Sequence, residues 1–255
     1  MATIEARDPA SAKEVSLVRS GRRVLACAVA GLVLRGLAGA DTQDELWPEA
    51  DGYFKLGGRY RLYTHARLTY SPASWTEDGT SSFQEIEAAS GFDITVKPIL
   101  RHGLKKPVWE RERYLFARVA YEYVSTFGDV ASSSQENRGI VELTGRIVLP
   151  GRVWLVNRAR ADLRDKNGNY STRYRTRLRA ERETELFGAV TMPYVGAEVL
   201  YDTRYDAWSQ QRYEVGIEIV LSRRWRLEPH YLRQDDQRSQ PAHVNAFGLI
   251  LKHHH

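Results

Sequence analysis

The feature that most constrains the fold is the run YSTRYRTRLRAERETELF at residues 170–187, where charged and uncharged side chains alternate. With Arg182 as an exception, one set of alternate positions is uncharged: Tyr170, Thr172, Tyr174, Thr176, Leu178, Ala180, Thr184 and Leu186. The other set is charged: Arg173, Arg175, Arg177, Arg179, Glu181, Glu183 and Glu185. A period of two predicts a β-strand with one apolar and one charged face, because a helix would leave no apolar stripe. Strands of ordinary sandwiches have about five or six residues. A strand this long, apolar outside and charged inside, predicts an all-β fold, a single antiparallel transmembrane β-barrel.

The same alternation recurs along most of residues 52–252. It predicts strands within 52–71, 88–100, 113–127, 140–149, 152–165, 170–187, 190–205, 212–221, 224–235 and 244–252. If 52–71 is one strand, the count is about ten, the even number expected when both chain ends lie in the periplasm. A hairpin at Gly57-Gly58 would give eleven strands, and closure would then require a further strand, making about twelve.

Composition is consistent with a barrel and excludes two other classes. Hydrophobic residues make up 42% of the 255 residues, and the mean hydropathy is −0.49. Barrels give such low values because every second strand residue faces a polar lumen. The net charge is +5, but the arginines alternate with apolar residues instead of forming a basic patch, so we expect no nucleic-acid partner. The single cysteine, Cys27, excludes a disulfide scaffold or a cysteine-ligated metal.

The N-terminal residues have the features of a secretory signal. A basic cluster at Arg19, Arg22 and Arg23 precedes the apolar run VLACAVAGLVL, and the small residues Ala-Gly-Ala end at Ala40. This order predicts a signal peptide over residues 1–40. Residues 41–51 are then expected to form a short N-terminal periplasmic segment, and residues 52–255 the barrel. The predicted location is the outer membrane of a Gram-negative bacterium.

The lengths of the connections suggest which end of the barrel faces outward. The polar stretches 72–82, 128–137 and 236–242 are the longer ones, as extracellular loops are. The connections near His102, Pro150, Gly188 and Arg223 are expected to be short periplasmic turns.

A set of short motifs, in a fixed order, resembles a family of bacterial outer-membrane β-barrels whose function is not established. The motifs are Trp47, Arg67, Asn157-Arg158-x-Arg160 with Arg164, Arg175-x-Arg177-x-Arg179, Pro193-Tyr194, Glu198, Tyr201-Asp202, and Arg212 with Gly216. The resemblance covers nearly the whole mature chain. It implies a barrel and brings no catalytic residues with it. One departure is the terminal sequence Lys252-His253-His254-His255, because outer-membrane barrels commonly end in an aromatic residue.

Inward-facing arginines and carboxylates form the candidate site, a charge network in the lumen. Its predicted members are Arg67, Arg158, Arg160, Arg173, Arg175, Arg177, Arg179, Glu181, Glu198, Arg212 and Glu218. The ladder from Arg173 to Arg179 is expected to close the lumen against Glu198, Glu218 and neighbouring carboxylates. Such a network either fills the lumen structurally or lines a porin-like small pore that selects anions. We favour a structural or small-pore role.

The alternative function, from another class, is an outer-membrane lipid-modifying hydrolase. Such an enzyme needs a nucleophile within hydrogen-bond reach of a histidine base. His65 and His230 lie at inward positions, with Glu228 near His230, but the sequence has no Gly-x-Ser-x-Gly motif. We therefore predict no catalytic residue, no cofactor and no metal site. The expected partners are outer-membrane lipid and, during insertion, the barrel assembly machinery, and we expect a monomer.

Overall fold

A computed structural model describes residues 42–72, 82–98, 113–127, 134–186, 188–238 and 242–255. Apart from one 3-10 turn at Pro150–Arg152, the regular elements in these ranges are strands. They are β1 (Thr42–Gly57), β2 (Tyr60–Ser71), β3 (Ser82–Pro98), β4 (Arg113–Thr126), β5 (Ser134–Leu149), β6 (Val153–Lys166), β7 (Asn169–Arg182), β8 (Thr184–Leu186), β9 (Ala189–Asp202), β10 (Ala207–Val220), β11 (Trp225–Asp236) and β12 (His243–His254). Within the described ranges, no helix is both long and apolar enough to cross a membrane.

Eleven of these strands form one closed barrel, and the short β8 is an additional strand on β9. Each strand from β1 to β7 pairs antiparallel with the next, β7 pairs with β9, and the series continues antiparallel to β12. The ring closes where β12 pairs with β1 in parallel, from Thr42↔His243 to Tyr53↔His254. The prediction of a barrel of about ten to twelve strands is therefore confirmed.

The hairpin between β1 and β2 explains the odd strand count. Gly57 and Gly58 have φ values of 129° and 52°, a backbone region that residues with a Cβ rarely adopt. The chain reverses there, and the alternation keeps its phase across the turn, with Tyr53 opposite Tyr63. The barrel closes with eleven strands, without the twelfth full-length strand that an even number of strands would require. After eleven strands, the first and last run in the same direction, so they pair in parallel and begin at the same end of the barrel.

The barrel begins at Thr42 and not at Gly52. Residues 42–51 were expected to precede the barrel, but they form most of the contact between β1 and β12. Trp47 is buried in a small apolar cluster with Leu232, Val244 and Ala246. The barrel begins earlier because closing the sheet needs a partner along the full length of β12. The predicted signal peptide, residues 1–40, lies outside the described residues.

The run that predicted the fold forms β7 and β8. The strand is interrupted at Glu183, and the shorter piece, Thr184–Leu186, pairs only with β9. Along β7 the odd positions from Arg173 to Arg179 are buried or half-buried, whereas Tyr174 and Leu178 are exposed. The two faces are therefore arranged as the alternation predicts.

The outer face of the barrel is an apolar band with charges only at its ends. Outward residues in the middle of the strands include Leu68, Phe92, Val119, Val141, Leu143, Leu163, Leu178, Val195, Val215 and Leu249, which are exposed. In the described strands, the charged residues on this face lie close to a strand end, for example Asp44, Asp165, Arg182 and Arg233. The inner face has the opposite character, because most of its buried side chains are polar or charged.

Connection length does not separate the two ends of the barrel as expected. The connection between β3 and β4 spans residues 99–112 and belongs to the set expected to be short. The turn at Asn167-Gly168, between β6 and β7, lies at the opposite end and is tight. The orientation of the barrel therefore stays a prediction.

Parallel closure makes a testable geometric prediction. Ala50 and Leu251 are paired across β1 and β12, and both side chains are exposed. Neighbouring strands lie about 4.8 Å apart, within the Cα separation that a disulfide tolerates. We expect Ala50→Cys with Leu251→Cys, in a Cys27→Ser background, to form a disulfide on mild oxidation. The product should migrate differently on a denaturing gel without reductant.

The control pairs Ala50→Cys with Ile250→Cys, because Ile250 lies one residue away and points into the barrel. This pair should not crosslink. A strand inserted between β1 and β12 would separate Ala50 and Leu251 by about 10 Å, and the absence of the first crosslink would then contradict the parallel closure.

Candidate functional site

The interior holds one polar cavity of about 710 Å³, and every barrel strand contributes side chains to its wall. The predicted network residues Arg67, Arg158, Arg160, Arg173, Arg175, Arg177, Arg179, Glu181, Glu198, Arg212 and Glu218 all line it. The backbone explains this convergence: in a closed sheet the inward positions of all strands face a common lumen.

Asp162 on β6 contacts three arginines: Arg173 and Arg175 in the first half of the ladder on β7, and Arg160 on β6 itself. Arg173 Nε lies 3.1 Å and Arg175 Nε 2.8 Å from Asp162 Oδ2, and Arg160 donates to Asp162 Oδ1. Asp162 is fully buried. A buried carboxylate without a partner would be unfavourable by several kcal/mol, so three guanidinium groups around it offset its desolvation. Arg160 also reaches Glu122, at 3.3 Å.

The second half of the ladder pairs with Glu214 on β10. Arg179 Nε donates to Glu214 Oε1 over 3.0 Å, and Arg177 Nη1 lies 3.5 Å from Glu214 Oε2. The Arg179 guanidinium also stacks 3.8 Å from the centre of the Tyr194 ring and reaches Glu228 at 3.5 Å. Arg179 is thus held from three directions, whereas Arg177 makes one long ion pair.

Glu198 on β9 lies among several arginines. Arg158 Nη2 donates to Glu198 Oε1 over 2.6 Å, and Arg212 Nη1 lies 3.5 Å from Glu198 Oε2. The strand register places Glu198 directly opposite both Arg177 and Arg212. Arg212 also donates to Gln234 over 2.7 Å.

The expectation that Glu218 faces the arginine ladder is wrong. Glu218 pairs instead with Arg226 at 3.3 Å and with Lys252 at 3.0 Å. The register gives the reason, because Gly196 lies opposite both Arg179 and Glu214. The ladder therefore ends level with Glu214, and Glu218 lies four residues further toward the end of β10.

The two remaining predicted residues lie at the edges of this group. Arg67 on β2 pairs with Glu85 at 3.2 Å and Glu87 at 2.8 Å, and its guanidinium lies 4.4 Å from the centre of the Trp47 ring. Glu181 lines the cavity opposite Tyr194. Among the residues that the structure describes, Glu181 has no ion-pair partner.

A second group of ion pairs, not included in the predicted network, joins neighbouring strands and strands separated by one other strand. Arg138 on β5 contacts Glu87 on β3 at 3.2 Å and Glu122 on β4 at 2.8 Å. Arg164 on β6 bridges Glu136 on β5 and Asp202 on β9. The alternation does predict that these side chains face the lumen, since each occupies an inward position of its strand. Their pairing depends on the curvature of the barrel, which the sequence pattern does not contain.

The inward histidines pair with carboxylates. His65 Nδ1 lies 2.8 Å from Asp51 Oδ1, and His230 Nε2 lies 3.9 Å from Glu49 Oε1. Within the described part of the chain, neither ring is hydrogen-bonded to a serine or threonine hydroxyl. In that same part, no group of three or more His, Cys, Asp or Glu side chains is arranged to hold a metal ion.

The His230 ring has a fixed place because Gly248 leaves room for it. A Cβ built on Gly248 would lie 2.0 Å from the His230 Cε1 atom, so a larger residue there would displace the ring. The position of His230 is therefore determined by packing.

The charges of the cavity are unevenly distributed between its walls. The wall formed by β6, β7, β9 and β10 carries seven inward arginines and four inward carboxylates level with the ladder: Arg158, Arg160, Arg173, Arg175, Arg177, Arg179 and Arg212, with Asp162, Glu198, Asp202 and Glu214. The wall formed by β1, β2 and β3 carries more acidic residues: Glu45, Glu49, Asp51, Glu85 and Glu87, with Arg61, Arg67 and His65. The first group has a surplus of positive charge and the second a surplus of negative charge.

Comparison with known proteins gives a family and no characterised relative. No curated protein matches the sequence, and no solved structure matches it. The model of one family matches residues 46–245, from within β1 to the first residues of β12. The chain belongs to this family, which is described as "Protein of unknown function (DUF2490)".

Proposed function

We propose that the protein is a bacterial outer-membrane β-barrel whose lumen is narrowed by the arginine–carboxylate network, with a structural or narrow-pore role. The observation that carries the proposal is the outer face of the closed sheet. On the strands described, its middle is uncharged and largely apolar, and its charged residues lie near the strand ends. A water-soluble protein rarely exposes an apolar surface of this extent.

Closure of the sheet supports the same environment. In hydrocarbon each unpaired backbone group costs several kcal/mol, so a spanning sheet must have no open edge. Here the β1–β12 ladder pairs the edge strands over twelve residue pairs. Among the described strands, only the three-residue β8 has an edge without a partner strand. The proposed state is therefore a monomer surrounded by outer-membrane lipid, inserted by the barrel assembly machinery.

The interior supports a narrow lumen. Ion pairs such as Arg138–Glu87 and Arg179–Glu228 join strands that are not adjacent, so their side chains extend over the lumen. A pore for general diffusion would need a wide aqueous bore, which barrels of 16–18 strands provide. An eleven-strand barrel with this filling leaves a cavity and not a wide channel.

The hydrolase alternative has weaker support. Acyl-transfer chemistry needs a histidine within about 3 Å of a nucleophile. His65 and His230 face the lumen, where each is close to a carboxylate, and lipid acyl chains lie on the other side of the sheet.

The membrane location predicts a depth-dependent cost for charge on the outer face. Val215 is exposed near the middle of β10, and Gln211 lies on the same face about 13 Å away. We expect Val215→Arg to lower the free energy of unfolding by about 2–4 kcal/mol and Gln211→Arg by about 0–1 kcal/mol. Reversible guanidinium unfolding of barrels refolded in lipid vesicles measures both values. Equal costs at the two depths would contradict the membrane location.

The inner face should respond differently to loss of charge. Glu218→Gln removes a carboxylate whose partner Lys252 also pairs with Glu228. We expect it to reduce the unfolding free energy by less than Val215→Arg does, because Lys252 keeps a partner. The same unfolding experiment tests this, and a larger loss for Glu218→Gln would show that the lumen network, and not the outer face, limits stability.

The narrow lumen predicts low conductance. In a planar bilayer the refolded protein should give small or no single-channel currents, because ion-paired side chains occupy part of the lumen. Arg177→Ala should raise the conductance, since Arg177 makes only one long ion pair and its removal widens the cavity. Arg177→Lys, which retains the charge and much of the length, is the control. Large, stable, anion-selective currents in the unmutated protein would contradict a narrowed lumen.

The enzyme alternative has its own measurement. If the protein were a hydrolase, it would release acyl chains from lipid vesicles, and His230→Ala would abolish that release. We expect no acyl release from either protein. Release that depends on His230 would replace the structural role with the enzymatic one.

A further inference from the structure

Three arginines of the basic wall are more open to the cavity than the carboxylate that they surround. The side chains of Arg177, Arg158 and Arg212 are 22%, 19% and 16% exposed, whereas that of Glu198 is 6% exposed. By contrast, Arg138 and Arg164 are at most half as exposed, and Arg179 and Arg160 on the same wall are 14% and 12% exposed. The three guanidinium groups are therefore the most accessible ones of this wall.

The hydrogen-bonding capacity of these arginines exceeds what their partners use. Each guanidinium has five N–H donors. Arg158 makes one short bond to Glu198, but the carboxylate contacts of Arg177 and Arg212 are both 3.5 Å long. Charge-assisted bonds to a carboxylate are normally about 2.7–2.9 Å. These two contacts are therefore weak, and their arginines can turn toward another acceptor.

The strand register adds a repulsion that a ligand would relieve. Arg158 and Arg177 are paired directly across β6 and β7, and Arg160 and Arg175 are paired two positions away. Like charges directly opposite each other destabilise a sheet. Glu198 offsets part of this repulsion, and Glu214 and Glu142 lie 3.5 Å from Arg177 and 3.9 Å from Arg158. Apart from Arg158–Glu198, these contacts are long, so a further anion beside Glu198 would give the three arginines a closer partner.

We propose that Arg158, Arg177 and Arg212 bind a small phosphate-class anion in the lumen: inorganic phosphate or the phosphate group of a small solute. Phosphate suits the site because its oxygens can accept bonds from several guanidinium groups at once. The opposite wall, with Glu49, Asp51 and Glu87, repels an anion and so confines it to the arginine side. The cavity volume of about 710 Å³ limits the ligand to a small solute.

This inference rests on the proposed narrow lumen and deepens it, because the same network that narrows the lumen would hold the ligand. It does not depend on the membrane location. The experiment is therefore done in neutral detergent without lipid, where phosphate headgroups are absent. Absence of phosphate binding in detergent would then contradict the binding site alone. Equal unfolding costs of Val215→Arg and Gln211→Arg in lipid vesicles would contradict the membrane location alone.

The test is calorimetric titration of the refolded barrel with inorganic phosphate at constant ionic strength. The unmutated protein should bind phosphate with one site per chain. Arg177→Gln and Arg212→Gln should each weaken binding about tenfold, the effect of losing one charge-assisted hydrogen bond. Glu198→Gln should instead strengthen binding, because it removes the competing carboxylate and the repulsion of the ligand.

Arg164→Gln is the matched control. It removes an equally inward arginine that pairs with Glu136 and Asp202 and lies away from Glu198, so phosphate affinity should not change. Folding of each variant is checked by the mobility shift between heated and unheated samples on a gel. If Arg177→Gln and Arg212→Gln do not fold, the opposite-direction change in Glu198→Gln still decides the matter.

Three results would overturn the proposal. The first is no phosphate binding by the folded, unmutated protein at millimolar concentration. The second is equal weakening by Arg164→Gln and Arg177→Gln, which would indicate a general charge effect. The third is unchanged or weaker binding in Glu198→Gln.

Discussion

Closure of the sheet is the constraint on which the rest of the structure depends. Eleven strands cannot close with every neighbour antiparallel, so β12 must meet β1 in parallel. This single pairing brings Asp51 next to Lys252 and Glu49 next to Ile250. It also makes one face of every strand interior, and charges far apart in sequence then share a cavity. The inner face can carry many charges because closure brings arginines and carboxylates from different strands within ion-pair distance of one another.

The cost of enclosing charge explains the form of the network. Removing one partner of a buried ion pair costs about 3–5 kcal/mol, so isolated charges inside the barrel would be unfavourable. Several carboxylates offset this cost because each is shared among two or more arginines, as fully buried Asp162 is. Arg138 has the complementary role and contacts three carboxylates. Sharing means that each arginine is already ordered by one partner when it meets the next, which lowers the entropy lost per ion pair.

The sequence predicts the local part of this arrangement and not the part set by closure. A period of two is a property of one strand, so the inward position of Arg177 and the outward position of Leu178 follow from alternation alone. Strand pairing at the seam is different, because nothing within residues 42–51 indicates that their partner lies two hundred residues away. The pairing of Glu214 rather than Glu218 with the ladder depends on the β9–β10 register. Alternation fixes the face of a residue but is equally compatible with any shift of two positions.

The structural and ligand-binding roles of the network can be assigned to different carboxylates. Asp162 is fully enclosed, and its contacts with Arg173 and Arg175 are no longer than 3.1 Å, so its arginines have little reason to leave it. Glu198 faces arginines that are more exposed and, apart from Arg158, held at 3.5 Å or through another carboxylate. Tight, enclosed pairs stabilise the barrel, whereas loose pairs at the cavity surface leave donors available to a solute. A lumen that is closed to large solutes and still binds a small anion follows from having both kinds of pair on one wall.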